Sequence, residues 1–334
     1  MLNQIPYLIA EISANHAGKL SIAKKLILEA KKNGADAVKL QTFEPEDMVI
    51  KTKSKKFFIK EGEWKGKYLW DLYNEAKTPF SWHNELFDYS KKIGITCFST
   101  PFSSRAVDFL EKLKCPLYKV ASFEMNDLDL IKKIAKTKKK MIISTGMASL
   151  EEIETTYNVA KKYGAKDITL LYCVSKYPSE NSDFNLENIK ILKKKFNCRI
   201  GLSDHSLDDD IAKFSAFLGA DIFEKHICLK KNLGLDSKFS ITTKEIPRYK
   251  KAILKGLELR GKKIFFRNKS EKKNKMFRRS IYVVQDIKKG EKFTTLNIKK
   301  LRPAFGLDVK LYTKIIGKKS KKNYKKNTSL KIKY

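Results

Sequence analysis

The chain is short of acid: 37 aspartates and glutamates face 71 lysines and arginines, a net charge of +34 over 334 residues. Such an excess ordinarily points to nucleic acid. Here the cations are dispersed through Lys53-Ser-Lys-Lys56, Lys136-Thr-Lys-Lys-Lys140, Lys193-Lys-Lys195 and Lys318 to Lys326, at helix-like or loop positions, and no nucleic-acid module accompanies them. The reading is a compositional bias on solvated faces with no nucleic-acid partner, although a positive field draws anionic substrates. Cysteine is scarce too. The five, Cys97, Cys115, Cys173, Cys198 and Cys228, are odd in number and form no C-x-x-C pair. That argues against a zinc ribbon and a disulfide framework and implies a reducing cytoplasm. No apolar run reaches the ~20 residues needed to cross a bilayer, so no membrane partner is expected. The opening Met1-Leu-Asn-Gln-Ile-Pro6 lacks a basic region and Glu11 interrupts the next apolar run, so no signal peptide is expected. No G-x-G-x-x-G follows the first strand-like run, which counts against a doubly wound open sheet.

What is there is alternation. Strand-like runs fall at Tyr7–Ser13, Ala37–Thr42, Thr96–Ser99, Leu117–Ala121, Met141–Ser144, Ile168–Cys173, Arg199–Leu202 and Asp221–His226, with amphipathic helix-like segments between them. Helical spacing is plain in Ile22, Ala23, Leu26, Ile27 and Ala30 and again in Ile211, Phe214 and Leu218. Gly34 and Gly219 stand where a helix C′ residue is wanted, just before the next strand. Alternating strand and helix implies a parallel sheet, and eight units predict closure into a (β/α)8 TIM barrel over residues 1–262. The charged tract 263–276 reads as a linker, and residues 277–334, opening with Ser280-Ile-Tyr-Val-Val284, as a small β-rich domain with a marginal core.

In such a barrel the chemistry sits at the C-terminal strand ends. His205 and His226 each close an apolar run there, which is where two imidazoles can hold a catalytic divalent ion with positions left open for water and substrate. Lys39 and Lys119 each interrupt an apolar strand with a cation that is costly to bury unpaired, so they need an anion. Ser122, Ser144 and Ser203 can add neutral donors to the same phosphate or carboxylate. Glu11 and Glu124 are carboxylates at strand ends, suited to acid–base work or to accepting from hydroxyls. His16 is a weaker metal candidate, and His83, after Trp82 at the start of a helix, reads as structural.

Assembled, the motifs resemble the sialic acid synthase family over nearly the whole chain. They are Ala10-Glu-Ile-Ser-Ala-Asn-His16, Val38-Lys-Leu-Gln-Thr42, Phe98-Ser-Thr-Pro-Phe102, Tyr118-Lys-Val-Ala-Ser122, Ile143-Ser-Thr-Gly-Met147, Gly201-Leu-Ser-Asp-His205 and Glu224-Lys-His226. The tail looks like that family's antifreeze-like (SAF, β-clip) domain through Asp286-Ile-Lys-Lys-Gly290 and Leu301-Arg-Pro-Ala-Phe-Gly306, departing from it at Lys325-Lys-Asn327, where a glycine is usual. The resemblance implies a transferase that condenses phosphoenolpyruvate with the open aldehyde of an aminosugar. Its products would be phosphate and a nine-carbon 2-keto acid. It implies a Mn²⁺ or Mg²⁺ ion on His205 and His226, and phosphoenolpyruvate on Lys39, Thr100, Lys119, Ser122, Ser144 and Ser203. Glu11, Gln41, Tyr177 and Asp236 would contact the sugar, Glu124 would relay a proton, and Arg302 would reach into the site of the other subunit of a swapped homodimer. Trp64-Lys-Gly66, Leu69-Trp-Asp-Leu-Tyr73, Lys77-Thr-Pro-Phe-Ser-Trp-His83, Ala121-Ser-Phe-Glu124 and Asp236-Ser-Lys-Phe-Ser240 look like the family's pseudaminic branch, which takes 2,4-diacetamido-2,4,6-trideoxy-L-altropyranose. An apolar wall near Phe123 or Trp64 would suit that 6-deoxy sugar. The legionaminic and N-acetylneuraminic branches are the same-class alternatives, and a non-catalytic basic binding module is the different-class one.

Overall fold

The computed structural model describes residues 6–262, 264–265 and 267–331. The chain opening before Pro6, two positions of the expected linker and the last three residues of the expected C-terminal domain lie outside them. The chain divides into two compact units, Met1–Gly261 and Lys262–Tyr334.

In the first unit, β1 (Tyr7–Glu11), β2 (Ala37–Thr42), β3 (Thr96–Pro101), β4 (Leu117–Val120), β5 (Lys140–Ser144), β6 (Ile168–Cys173), β7 (Arg199–Asp204) and β8 (Ile222–Cys228) pair in parallel in chain order. β8 then pairs with β1, from Tyr7↔Ile222 to Glu11↔His226, and the sheet closes. That closure is a (β/α)8 barrel and rules out the open doubly wound sheet. A two-residue β9 (Ile241–Thr242) extends the pairing from β8. Every residue of β1, β4, β6 and β8 is buried, as expected of parallel strands covered by side chains within and helices without.

The connecting helices start at residues chosen for it. Ser103, Asp127, Ser149 and Asp208 each accept a backbone N–H of the helix they open, and Ser149 with Glu152 forms a capping box. Gly34, Gly94 and Gly219 follow helices with φ of 93°, 74° and 114°, the left-handed region that glycine enters without steric cost. Helix Leu20–Lys32 buries Ala23, Leu26, Ile27 and Ala30 as its spacing predicts. Helix Asp209–Leu218 differs from expectation: it buries Ile211, Ala212, Ser215 and Ala216, and leaves Phe214 48% exposed. The cause is close packing on helix Ile246–Arg260, where a Cβ on Gly256 would lie 2.0 Å from the Lys213 carbonyl oxygen and 2.9 Å from Ala216 Cβ. Small residues therefore occupy that face.

The second unit holds an antiparallel sheet in which β10 (Ser280–Val283) lies between β11 (Ile298–Leu301) and β12 (Thr328–Ser329). Its core is Ile281, Val283, Ile287, Phe293, Ile298, Ile315 and Leu330. Asn327, standing where a glycine was expected, takes φ 65° and donates its N–H to the Val283 carbonyl, since asparagine tolerates the left-handed region best after glycine. The tract read as a linker carries structure: Asn268 caps a short exposed helix, Lys269–Lys273, by accepting the Glu271 N–H.

Candidate active site

Period-two alternation aims every second side chain of each strand into the barrel. Registers Glu11↔Lys39 and Glu11↔His226 set the ends of β1, β2 and β8 level, and Ser203↔Glu224 does the same for β7 and β8. Four charges meet there. Lys39 Nζ lies 2.7 Å from Glu11 Oε2 and 3.6 Å from Glu224 Oε1, and donates to Thr100 Oγ1 at 3.1 Å. Lys119 Nζ is 3.7 Å from the same Glu224 oxygen, to which Ser203 Oγ donates at 3.1 Å. Gln41 Nε2 donates to Glu11 Oε1 at 3.0 Å and to Ser13 Oγ at 2.9 Å. All four charged side chains are buried. Burial pushes the Glu11 carboxyl up, with Lys39 opposing; for Glu224 the two ammonium groups outweigh burial and hold the carboxyl down. Burial also pulls Lys119 down, whereas for Lys39 the two carboxylates overcome that pull. The anion that both buried lysines need is supplied within the barrel by Glu11 and Glu224.

Beside this cluster stand the histidines, ring centroids 5.3 Å apart. His205 Nδ1 is 2.8 Å from the Val174 carbonyl oxygen, to which it donates, leaving Nε2 as the nitrogen turned to a ligand; burial pulls this imidazole down, but Cys173 and the carbonyl outweigh it and push it up. His226 Nδ1 is buried with no partner, and burial holds this imidazole well below its ordinary range, in the neutral form a metal needs. Two imidazoles can hold a divalent cation and leave positions open for water and substrate. Among the described residues no group of three or more histidines, cysteines, aspartates or glutamates stands ready to hold a metal.

An aromatic wall covers the histidines: Tyr177 lies 4.3 Å from His205 and 5.1 Å from Phe239, which lies 5.0 Å from His226. Asp236, buried, accepts the Ala14 N–H at 3.2 Å, and its carboxyl is pushed up by burial. It is placed by Asn15, whose Oδ1 accepts the Asp236 N–H at 3.2 Å and whose Nδ2 donates to the Ile227 carbonyl and to Ser240 Oγ, both at 2.8 Å. Gly234 makes room, for a Cβ there would sit 2.4 Å from Asn15 Cα.

On the opposite side of the mouth, Ser122 Oγ accepts the Gly146 N–H at 3.2 Å, and Ser144 Oγ is buried without a partner. A Cβ on Gly146 would fall 2.2 Å from Ser175 Oγ and 2.8 Å from Ser122 Oγ, so this backbone stays bare. Glu124, in the turn after Ser122, has a buried, unpartnered Oε2, and burial lifts its carboxyl to about 7 against the lowering pull of Lys119.

The structure thus brings Glu11, Lys39, Gln41, Thr100, Lys119 and Ser203 into one bonded cluster and sets His205, His226 and Tyr177 in ring contact. Arg302 belongs to the second unit, where it is exposed. His83 is structural, with Nε2 2.7 Å from Thr42 Oγ1 and Nδ1 3.1 Å from the Pro79 carbonyl oxygen; His16 packs its ring on Trp82. Sequence reasoning gave Glu224, Asn15 and Phe239 no role. Glu224 had a signal, two residues before His226 on one strand and so on the same face. Lys225 between them points outward and is buried, its Nζ 2.9 Å from Asp204 Oδ2, an oxygen that also accepts from Tyr249 at 2.9 Å.

A closed parallel barrel with cations, carboxylates and imidazoles gathered at its C-terminal mouth defines a barrel enzyme. The chain belongs to the NeuB family, whose model matches residues 26–264. It is 42% identical over 326 residues to the pseudaminic acid synthase of Campylobacter jejuni, covering 97% of this chain and 95% of that one. It is 42% identical over 329 residues to the pseudaminic acid synthase of Helicobacter pylori, covering 98% and 97%. Among solved structures, the N-acetylneuraminic acid synthetase of Leptospira borgpetersenii, crystallised with citrate, superposes with a TM-score of 0.73 at 30% identity, covering 82% of this chain and 90% of that one.

Proposed function

We propose that the chain is a pseudaminic acid synthase. It would join phosphoenolpyruvate to the open aldehyde of 2,4-diacetamido-2,4,6-trideoxy-L-altropyranose, with water, giving a nine-carbon 2-keto sugar acid and phosphate. The observation that carries the reading is the Lys39–Glu11–Glu224–Lys119 cluster lying beside an imidazole pair. The likeness to pseudaminic acid synthases along almost the entire chain supports the choice of sugar.

Lys39, Thr100, Lys119, Ser122, Ser144 and Ser203 bind phosphoenolpyruvate, with the two lysines as its cations. These cations position charge the substrate already carries, so they serve binding more than transition-state stabilisation. Gln41, Tyr177 and Asp236 orient the sugar, and Glu11, bonded to both Lys39 and Gln41, fixes the two substrates relative to each other. A Mn²⁺ or Mg²⁺ ion held by His205 and His226 would supply Lewis acidity toward the aldehyde. Carbon 3 of the enol attacks the aldehyde carbon, whose oxygen takes a proton. Glu124, its carboxyl lifted to about 7, would donate it. Water adds at carbon 2 and gives up a proton, and the C–O bond to phosphate breaks as the ketone forms. Arg302, from the small antifreeze-like domain, completes the partner's site in a swapped homodimer. Five free cysteines suit a cytoplasmic enzyme.

Phosphate release tests this, with phosphoenolpyruvate, Mn²⁺ and each candidate sugar supplied in turn. Turnover of the diacetamido-trideoxy sugar is expected. Release only with a legionaminic precursor or with a hydroxylated mono-acetamido sugar would overturn the sugar, and none with any sugar would overturn the enzyme.

A further inference from the structure

Trp64 rides on a hairpin that stands over the sugar side of the mouth. Phe58 and Tyr68 pair antiparallel with rings 5.1 Å apart, Ile59 and Lys67 bond at 2.9 Å, and Gly62 and Gly66 turn the chain with φ of 80° and 91°. The Glu63 carboxylate lies 3.1 Å from Lys238, two residues from Asp236, and ties the hairpin to the loop that carries the sugar carboxylate. The indole is edge-on to Phe239 at 6.0 Å and tilted against Tyr177 at 5.8 Å. Trp64, Tyr177 and Phe239 so make an apolar corner against the two histidines. Phe123, the other aromatic considered for this wall, is 58% exposed. The Trp64 Nε1–H is buried and makes no hydrogen bond of good geometry, although it lies near enough to Asp236 to favour the charged carboxylate. A buried indole N–H normally finds an acceptor.

We propose that Trp64 is a specificity-determining residue: its ring takes a methyl-bearing substituent of the sugar, and its buried N–H, beside Asp236, donates to an acetamido carbonyl. This rests on the substrate reading above. A 6-deoxy, diacetamido hexose brings three methyl groups and two amide carbonyls to such a corner. A 6-hydroxy sugar would bury a hydroxyl there without a partner, which an apolar pocket penalises.

The test compares wild type, Trp64→Ala and Trp64→Phe by phosphate release, varying each substrate separately, with the diacetamido-trideoxy sugar and a hydroxylated mono-acetamido sugar. Trp64→Ala should raise the KM for the first sugar roughly 10- to 100-fold and shrink its preference over the second by a similar factor. The KM for phosphoenolpyruvate should stay within about two-fold, because the lysine cluster is untouched, and Trp64→Phe, which keeps the ring but loses the N–H, should fall between. A sugar KM and a preference within about three-fold of wild type in Trp64→Ala would overturn the role of Trp64. A wild type that turns over only the hydroxylated sugar would instead remove the substrate reading itself.

Discussion

Lys225→Met is the sharpest test of how the barrel orients its last strand. In Glu224-Lys225-His226 the flanking residues face the lumen, and Lys225 faces the helical layer, paired with Asp204 at 2.9 Å. Methionine keeps most of the side-chain volume and removes the ammonium group, leaving a fully buried carboxylate. That carboxylate still accepts from Ser206 N at 2.8 Å, Ser206 Oγ at 2.7 Å and Tyr249 at 2.9 Å. Breaking a buried pair from one side costs about 3–5 kcal/mol; the three surviving donors place this case at the lower end, about 3 kcal/mol. For a unit of this size that is roughly 6–12 °C in melting temperature. Asp204→Asn should behave similarly, and the double variant, with neither charge buried alone, should recover at least about 2 kcal/mol relative to the sum. All three tryptophans, Trp64, Trp70 and Trp82, lie in the first unit, so tryptophan fluorescence follows the barrel alone. A single variant that melts within about 2 °C of wild type, or a double variant as unstable as the two losses added, would refute the reasoning.

Three further outcomes are expected. His205→Ala and His226→Ala should each abolish phosphate release while leaving a cooperative melt, and exhaustive chelation should do the same to wild type; activity surviving chelation would exclude the metal role. Glu124 keeps its proton in the folded state up to about pH 7, above the ordinary carboxylate range, so the native state binds more protons than the unfolded one. Stability should accordingly fall as pH rises from ordinary carboxylate values through about 7, and turnover should fall above about 7. Glu124→Gln should flatten the stability profile, lower kcat by roughly 10²- to 10⁴-fold and remove that limb from the residual rate; an unchanged pH–rate profile would free Glu124 of the proton step. Mixing inactive Arg302→Ala with inactive His226→Ala subunits should restore some activity in demonstrated heterodimers, since a swapped dimer assembles one intact site.

The barrel was legible because its strands punctuate themselves: Ala37–Thr42 and Ile168–Cys173 start and stop where the apolar runs do. β7 and β8 run two residues beyond the expectation, to Asp204 and Cys228: Ser203 and Asp204 find partners in Glu224 and Lys225, and Ile227 and Cys228 pair onward with β9. Lys39 and Lys119 were readable as costly cations, but their partners were not. A carboxylate on another strand becomes a counter-charge only through register, and no local pattern states that Glu224 lies between the two lysines. Phe214 failed for a related reason, because its helix face was decided by a glycine in a different helix.

Asn15 sits at the seam where the first and last strands meet, and the residues it bonds are 212, 221 and 225 positions away. Contacts between chain ends so distant carry the largest loop-closure entropy in the barrel, and on that ground they are expected to form after the six intervening strands are in place. Interactions made that late are absent from the folding transition state, so their loss shows in the unfolding rate and hardly in the folding rate. The seam is therefore a kinetic latch. Because Asp236 hangs from it, the placement of that carboxylate depends on the ring of strands being shut.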